Sequence, residues 1–149
     1  MKNVLYGDAL NLPFDDESFD TVLNVEASHL YMNCAKFFEH VHRILRPGGY
    51  LLWLDLRYPH EVEDLKRTTR NAGLKLEILE DITENVLSGL QETTKKYDKL
   101  VKKSPKIVQF LFTDFLRTTY CAPGTSTYAR LVKRERIYLA AKWTKQAKK

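Results

Sequence analysis

The chain has 149 residues, 44% of them hydrophobic and 29% charged, and a formal net charge of +5 at pH 7. This balance is typical of one globular domain and excludes a disordered or fibrous chain. No apolar run approaches the roughly 18–20 residues that span a bilayer, and the first residues lack the features of a signal peptide, so we expect a cytoplasmic protein.

Cysteine spacing and charge distribution limit the expected partners. Cys34 and Cys121 lie far apart, with no C-x-x-C motif and no histidine-rich neighbourhood, which predicts neither a disulfide framework nor a metal site. Residues 1–65 carry 11 acidic and 5 basic side chains, whereas residues 66–149 carry 8 acidic and 19 basic ones. Because the basic residues are scattered rather than clustered with aromatic ones, we interpret them as a solvated helical face and predict no nucleic-acid partner.

The first third of the chain predicts two strands and a helix. Residues 3–8 have the pattern of the end of a buried strand, and residues 19–25 that of an interior strand of a parallel sheet. Asn33 is the predicted N-cap of a helix whose apolar residues recur at helical spacing until Pro47-Gly48-Gly49. We expect glycine there to end the helix in a left-handed conformation.

The rest of the chain predicts further strands around a helical region. Residues 50–56 form a third apolar run, and the helix that follows is closed by Gly73. Residues 74–78 and 137–143 alternate between apolar and polar types, which predicts two half-buried strands that could pair with each other. The segment at about 83–134 is predicted to be a helical insertion. Alternating strands and helices indicate an α/β fold with a mainly parallel sheet and helices on both faces.

Candidate ligand-binding residues follow the predicted strands. Open α/β sheets bind ligands beyond the carboxyl ends of their strands. Polar residues occupy three such positions, at residues 7–9, 24–29 and 55–58. We therefore expect the functional side chains among these three groups.

Three linked motifs carry a resemblance to a known family. G-D-A-x-x-L-P-F-x-D-x-S-F-D spans residues 7–20, and V-L-N-V-E-A-S-H and then L-R-P-G-G-Y-L follow it. In this order they resemble class I S-adenosylmethionine (SAM) dependent methyltransferases of the type 11 domain, over residues 3–143. V-E-A-S-H-L-Y and D-L-R look most like phthiotriol and phenolphthiotriol dimycocerosates methyltransferases. The resemblance implies a partial Rossmann-like methyltransferase fold over residues 1–149, ending in an antiparallel strand pair, with SAM as the cofactor.

The resemblance assigns cofactor contacts to residues that follow the first two strands. Asp8 would accept a hydrogen bond from the adenine amino group, the Ala9 N–H would donate to the ring, and Leu10 would cover the base. Asn24 would present its backbone carbonyl or its side chain to the amino-acid part of SAM. The alternatives are that Asp8 caps a helix and that Asn24 only ends a strand.

His29 is the candidate general base, because an imidazole can take the proton of an attacking hydroxyl. A lone histidine after a strand can equally be structural. Glu26 could orient His29, bind substrate or hold a loop. Tyr31, Arg57 and Tyr58 are the candidate residues of the acceptor pocket, with a salt-bridged rim as the alternative for the last two.

One part of the family pattern is not found in the sequence. A complete member carries a glycine-rich turn after a strand and, about twenty residues later, an acidic residue for the ribose. We therefore expect a truncated chain that needs a missing N-terminal segment or a partner chain to bind SAM. The hypothesis is O-methylation of a lipid, polyketide or other small apolar alcohol. The alternative is a non-catalytic interaction or regulatory module derived from a methyltransferase.

Overall fold

The computed structural model describes residues 4–146. The chain divides into two compact units, one formed by Met1–Asp81 with Leu139–Lys149 and the other by Ile82–Tyr138. None of the helices within residues 4–146 is long and apolar enough to cross a membrane.

The first unit is built on a four-stranded sheet with two α-helices. Its elements in chain order are β1 (Phe19–Val25), α1 (Cys34–Ile44), β2 (Leu45–Arg57), α2 (Val62–Asn71), β3 (Leu74–Asp81) and β4 (Ile137–Lys145). Short 3-10 helices follow β1 at Ser28–Leu30 and β2 at Pro59–Glu61. The first two residues of β4 belong to the second unit.

The strand order β1-β2-β4-β3 confirms the α/β class but not a mainly parallel sheet. β1 and β2 are parallel, with Val25 opposite Leu54. β3 and β4 form the predicted antiparallel pair, with Leu76 opposite Trp143. The sheet is mostly antiparallel because β1-α1-β2 is the one unit in the described part of the chain whose helix joins parallel neighbours.

The predicted strand over residues 3–8 is wrong for its described part. Residues 4–7 are irregular, and Val4 and Tyr6 are 91% and 103% exposed, while Asn3 lies outside the described residues. β1 lies at the edge of the sheet rather than in its interior. The apolar pattern of residues 4–7 therefore does not form a strand, because residues 4–146 provide no neighbouring strand with which it could pair.

The core of the first unit lies between α1 and one face of the sheet. The rings of Trp53 and Trp143 meet edge to face with centroids 5.7 Å apart, and Phe38 lies 6.1 Å from Trp143. The opposite face carries exposed apolar side chains, among them Leu23 (70% exposed) and Val25 (51%). Burying one face and exposing the other follows from the two-residue period of a strand.

The boundaries of α1 and α2 confirm two of the predicted helix ends and contradict one. Asn33 caps α1 as predicted, since its side chain accepts a hydrogen bond from the Lys36 N–H at 3.0 Å. The expectation that glycine ends α1 is wrong, because Leu45 is already extended and Gly48, at φ +81°, lies within β2. Gly73, at φ +85°, ends α2 as predicted.

The second unit consists of three helices, α3 (Thr83–Lys102), α4 (Lys106–Thr119) and α5 (Ser126–Val132). An ion pair joins Asp98 to Arg117 at 2.5 Å, and the rings of Tyr97 and Tyr120 stack with centroids 5.0 Å apart. These contacts hold α3 against α4. That this region is an insertion in a methyltransferase domain stays a prediction.

Candidate active site

The carboxyl ends of β1 and β2 form the candidate site because the two strands are parallel neighbours. After β1, Glu26 adopts φ 49° and its N–H donates to the Leu54 carbonyl at 2.8 Å, which turns the chain across the end of β2. The 3-10 helix Ser28–Leu30 then places Ser28 and His29 beside Asp55 on β2.

A buried carboxylate holds His29. The imidazole Nδ1 lies 2.5 Å from Asp55 Oδ1, and the His29 backbone N–H donates to Asp55 Oδ2 at 2.9 Å. The Asp55 side chain has no exposed surface, whereas that of His29 is 25% exposed. Asp55 therefore holds the histidine ring through Nδ1, and the rest of the ring is partly exposed.

Ser28 connects this pair to β2. Its hydroxyl donates to Asp55 Oδ2 at 2.6 Å and accepts from Trp53 Nε1 at 2.8 Å and from Arg57 Nη2 at 2.6 Å. Arg57 Nη2 also lies 3.5 Å from Asp55 Oδ2. A fully buried hydroxyl with one acceptor and two donors around it has its hydrogen-bonding capacity filled.

One cavity of about 190 Å³ opens beside His29. Predicted site residues on its wall are His29, Tyr31 and Arg57, and the others are Ser28, Cys34, Phe38, Glu61, Asp64, Leu65 and Thr68. Burial, which outweighs the opposing effect of Arg57, raises the pKa of the Cys34 thiol above its ordinary value. Cys34 is therefore poorly suited to act as a thiolate nucleophile.

A second, more apolar cavity of about 320 Å³ lies along β1. Ala9, Asn24 and Tyr31 line it together with aromatic and aliphatic side chains. Tyr31 thus borders both cavities. Asn24 Nδ2 donates to the Tyr31 hydroxyl at 3.0 Å.

Asn24 carries an unsatisfied acceptor. The residue is 7% exposed, and within residues 4–146 no donor reaches its Oδ1 atom. Buried polar atoms nearly always have a hydrogen-bond partner, and Asn24 lines the cavity along β1, so its unpaired oxygen fits a ligand with a donor group. The ammonium group of SAM is a donor of this kind.

The other predicted cofactor residues form an exposed turn. Asp8 Oδ1 accepts from the Leu10 N–H and the Asp8 carbonyl from the Asn11 N–H, both at 2.9 Å. Asp8 therefore closes a turn rather than capping a helix. Leu10 is half-buried, but it does not line the cavity that Ala9 lines.

Two predicted residues lie apart from the cavities. Glu26 is exposed, and the contact that orients His29 comes from Asp55. The Tyr58 ring stacks on His60 at 5.4 Å between centroids, and neither cavity includes it on its wall. Within the described part of the chain, no group of three histidine, cysteine or acidic side chains could hold a metal ion.

Sequence reasoning missed the partner of His29. The sequence places Asp55 at a strand end but does not connect it to the histidine, and it does not indicate the hydrogen bonds of Ser28. The available signal was S-H after β1 combined with D-x-R at the end of β2, since parallel pairing brings the two together.

Comparison with known proteins agrees with this fold. Residues 2–53 match the family model described as a methyltransferase domain. Phosphoethanolamine N-methyltransferase 2 of Haemonchus contortus, solved with phosphomonomethylethanolamine and S-adenosylhomocysteine, aligns over 95% of this chain and 36% of its own, with a TM-score of 0.71 and 15% identity. The fold is that of SAM-dependent methyltransferases.

Two curated relatives extend the match along the sequence. Phthiotriol/phenolphthiotriol dimycocerosates methyltransferase 1 of Mycobacterium ulcerans is 41% identical over 105 residues, 70% of this chain and 39% of that protein. Fatty-acid O-methyltransferase of Mycolicibacterium smegmatis is 37% identical over 111 residues, 74% of this chain and 39% of that protein. The chain belongs to the SAM-dependent methyltransferase family. It spans about two fifths of the length of the curated relatives it matches.

Proposed function

We propose that this chain works as part of a SAM-dependent methyltransferase that methylates a hydroxyl oxygen of a lipid, polyketide or other small apolar alcohol. The observation that carries the proposal is the His29 imidazole, held by Asp55 and facing a cavity at the carboxyl ends of β1 and β2. The names of the curated relatives support a lipid acceptor, one for phthiotriol dimycocerosates and one for fatty acids.

The cofactor residues are Asn24 and Ala9 on the wall of the apolar cavity along β1, together with Asp8 and Leu10 on either side of Ala9. Asn24 Oδ1 would accept from the SAM ammonium group, which would supply a partner for a buried acceptor that has none within residues 4–146. The Asp8 carboxylate accepts from the adenine amino group, the Ala9 N–H donates to the ring, and Leu10 covers the base. Bound SAM supplies the methyl group on a sulfonium, whose sulfur leaves as a neutral thioether.

His29 takes the proton of the acceptor hydroxyl. Its Nε2 atom has no hydrogen-bond partner within residues 4–146, and the cavity gives an acceptor access to the ring. Tyr31 and Arg57 on the same wall position the acceptor. Alignment of the oxygen with the methyl group supplies the larger part of the acceleration, since an in-line displacement depends on orientation.

The edge of β1 and the open face of the sheet are completed by a further segment, from a longer polypeptide or from a partner chain. Three observations support this arrangement. β1 has no neighbour on its outer side within the described residues, its exposed face is apolar, and the curated relatives are more than twice as long as the matched region.

Calorimetric titration with SAM tests the cofactor site. We expect no measurable heat with this chain and micromolar binding when it is fused behind a glycine-rich strand and turn of the kind that a complete family member carries. In that fusion, Asn24→Leu and Asp8→Ala each weaken SAM binding by about 1.5–3 kcal/mol, the range for a hydrogen bond to a charged group. Absence of binding by the fusion refutes the cofactor assignment.

Methyl transfer to a long-chain alcohol by the same fusion tests the base. His29→Ala lowers the chemical rate by about 10²–10⁴ while SAM affinity stays nearly unchanged. His40→Ala, on α1 outside both cavities, is the matched control and retains full activity. Full turnover by His29→Ala eliminates the base assignment.

The exposed apolar face of the sheet favours a second candidate function, a non-catalytic interaction module. Leu23, Val25 and Leu52 are 70%, 51% and 39% exposed on this face, and adjoining exposed apolar side chains are a feature of interaction surfaces. Size-exclusion chromatography separates the candidates, because a compact monomer that binds no partner argues against this role.

A further inference from the structure

We propose that Asp55 is a positioning residue that fixes which nitrogen of the His29 ring carries the proton. The inference deepens the proposed function and rests on His29 as its base. It starts from two contacts: Asp55 Oδ1 lies 2.5 Å from His29 Nδ1, and Asp55 Oδ2 accepts from the His29 backbone N–H at 2.9 Å. One carboxylate thus holds both the ring and the main chain of the histidine.

The neighbours of Asp55 determine the direction of the ring hydrogen bond. Its two oxygens accept from the Ser28 hydroxyl at 2.6 Å and the Leu56 N–H at 2.8 Å, and the Arg57 guanidinium lies 3.5 Å away. Every group around the carboxylate is a donor, and an ionised carboxylate can only accept. His29 Nδ1–H is therefore the donor, and the lone pair of the neutral ring is on Nε2.

The carboxylate itself cannot rotate away. Asp55 has no exposed surface, and Ser28 is anchored in turn by Trp53 Nε1 at 2.8 Å. Arg57, with a side chain 7% exposed, supplies the opposite charge that a buried carboxylate needs. The arrangement therefore keeps Asp55 in place as an acceptor for Nδ1.

This tautomer suits the proposed reaction. The acceptor oxygen forms a bond to the methyl carbon as the carbon–sulfur bond breaks, and its proton passes to His29 Nε2. The ring then carries protons on both nitrogens, and the unchanged Asp55 carboxylate stabilises the imidazolium through Nδ1. A ring with its proton on Nε2 has no lone pair on the edge that faces the cavity and cannot act as the base.

Nitrogen NMR of the imidazole rings tests the inference on this chain without any turnover. At about pH 8.5, we expect His29 to show a protonated Nδ1 and an unprotonated Nε2. The His29 signals are identified by their loss in His29→Gln. In Asp55→Asn the new amide donates to Nδ1, so the proton moves to Nε2.

Asp20→Asn is the matched control. Asp20 is also paired with an arginine, Arg46, at 2.7 Å, but its side chain is 79% exposed and lies outside the site. It receives the same carboxylate-to-amide change and leaves the His29 tautomer and the activity unaltered. In the active fusion, Asp55→Asn lowers kcat by about 10²–10⁴ with little change in the KM for SAM.

Each outcome decides one part of the argument. A proton on Nε2 in the parent chain overturns the proposal, as does an Asp55→Asn ring that keeps its proton on Nδ1. The parent spectrum decides alone if Asp55→Asn does not fold. A tautomer as expected together with full turnover by His29→Ala supports the role of Asp55 toward the ring and refutes the base instead.

Discussion

Removing the Ser28 hydroxyl tests how far the site and the fold depend on each other. Ser28 has no exposed surface, and Ser28→Ala leaves two buried donors, Trp53 Nε1 and Arg57 Nη2, without their acceptor. A buried donor that loses its partner costs about 1–3 kcal/mol. Arg57 keeps its contact with Asp55 at 3.5 Å, which offsets part of its share. We therefore expect a loss of about 2–4 kcal/mol in the free energy of unfolding.

Urea unfolding followed by circular dichroism and tryptophan fluorescence measures this loss. Ser18→Ala is the control, because the Ser18 hydroxyl donates at 2.7 Å to the Asp15 carbonyl in an exposed turn. We expect the control to cost at most about 1 kcal/mol, the net value of an ordinary hydrogen bond. If Ser28→Ala costs no more than Ser18→Ala, the donors have other acceptors and Ser28 does not organise the site.

Three further predictions concern stability. Gly73→Ala lowers the free energy of unfolding by at least about 1–2 kcal/mol, because φ is +85° and the new Cβ would lie 2.9 Å from His42 Nε2. The control for this change, Gly89→Ala, adds a Cβ in open space within α3 and raises the free energy of unfolding by about 0.5–1 kcal/mol in the same urea titrations. Burial holds the pKa of His42 below its ordinary value of 6.5, so the folded state binds fewer protons than the unfolded state near that pH. The free energy of unfolding therefore decreases as the pH drops through 6.5, and urea unfolding curves of His42→Gln show a smaller decrease than those of the parent chain. The hydrogen bond from Arg117 lowers the pKa of Asp98, so Asp98→Asn lowers the free energy of unfolding by about 0.5–1 kcal/mol at pH 7. This difference from the parent chain declines as the pH falls below 3.8, because the Asp98 carboxylate of the parent is then progressively protonated.

The location of the site could be predicted from the sequence because it depends on strand ends alone. His29 follows β1 and Arg57 is the last residue of β2, and parallel neighbours bring their carboxyl ends together regardless of the detailed register. The partner of His29 could not be predicted in the same way. Asp55 is 26 residues away and meets the ring because Val25 pairs with Leu54, whereas sequence proximity favoured Glu26.

The errors in the fold arise from tertiary context. The apolar pattern of residues 4–7 is compatible with a strand, but a strand also needs a neighbour to pair with, and the described residues provide none. The end of α1 was assigned to glycine, although Leu45 leaves the helical conformation three residues before Gly48 because it already pairs with Phe19. Pairing between distant segments decided both cases.

The proposed base and the proposed cofactor contacts differ in how firmly this chain holds them in place. The base is held within residues 19–57, where Ser28, Asp55 and Arg57 are buried and joined by short hydrogen bonds. The proposed adenine contacts depend instead on residues 8–10, a turn closed by hydrogen bonds to Asp8, which is itself exposed. A preorganised group loses little freedom on binding, whereas an exposed turn must be ordered by its ligand or by a neighbouring segment. The position of the His29 ring is therefore determined by residues of this chain. The proposed SAM binding depends instead on the ligand or the neighbouring segment that covers the turn at Asp8.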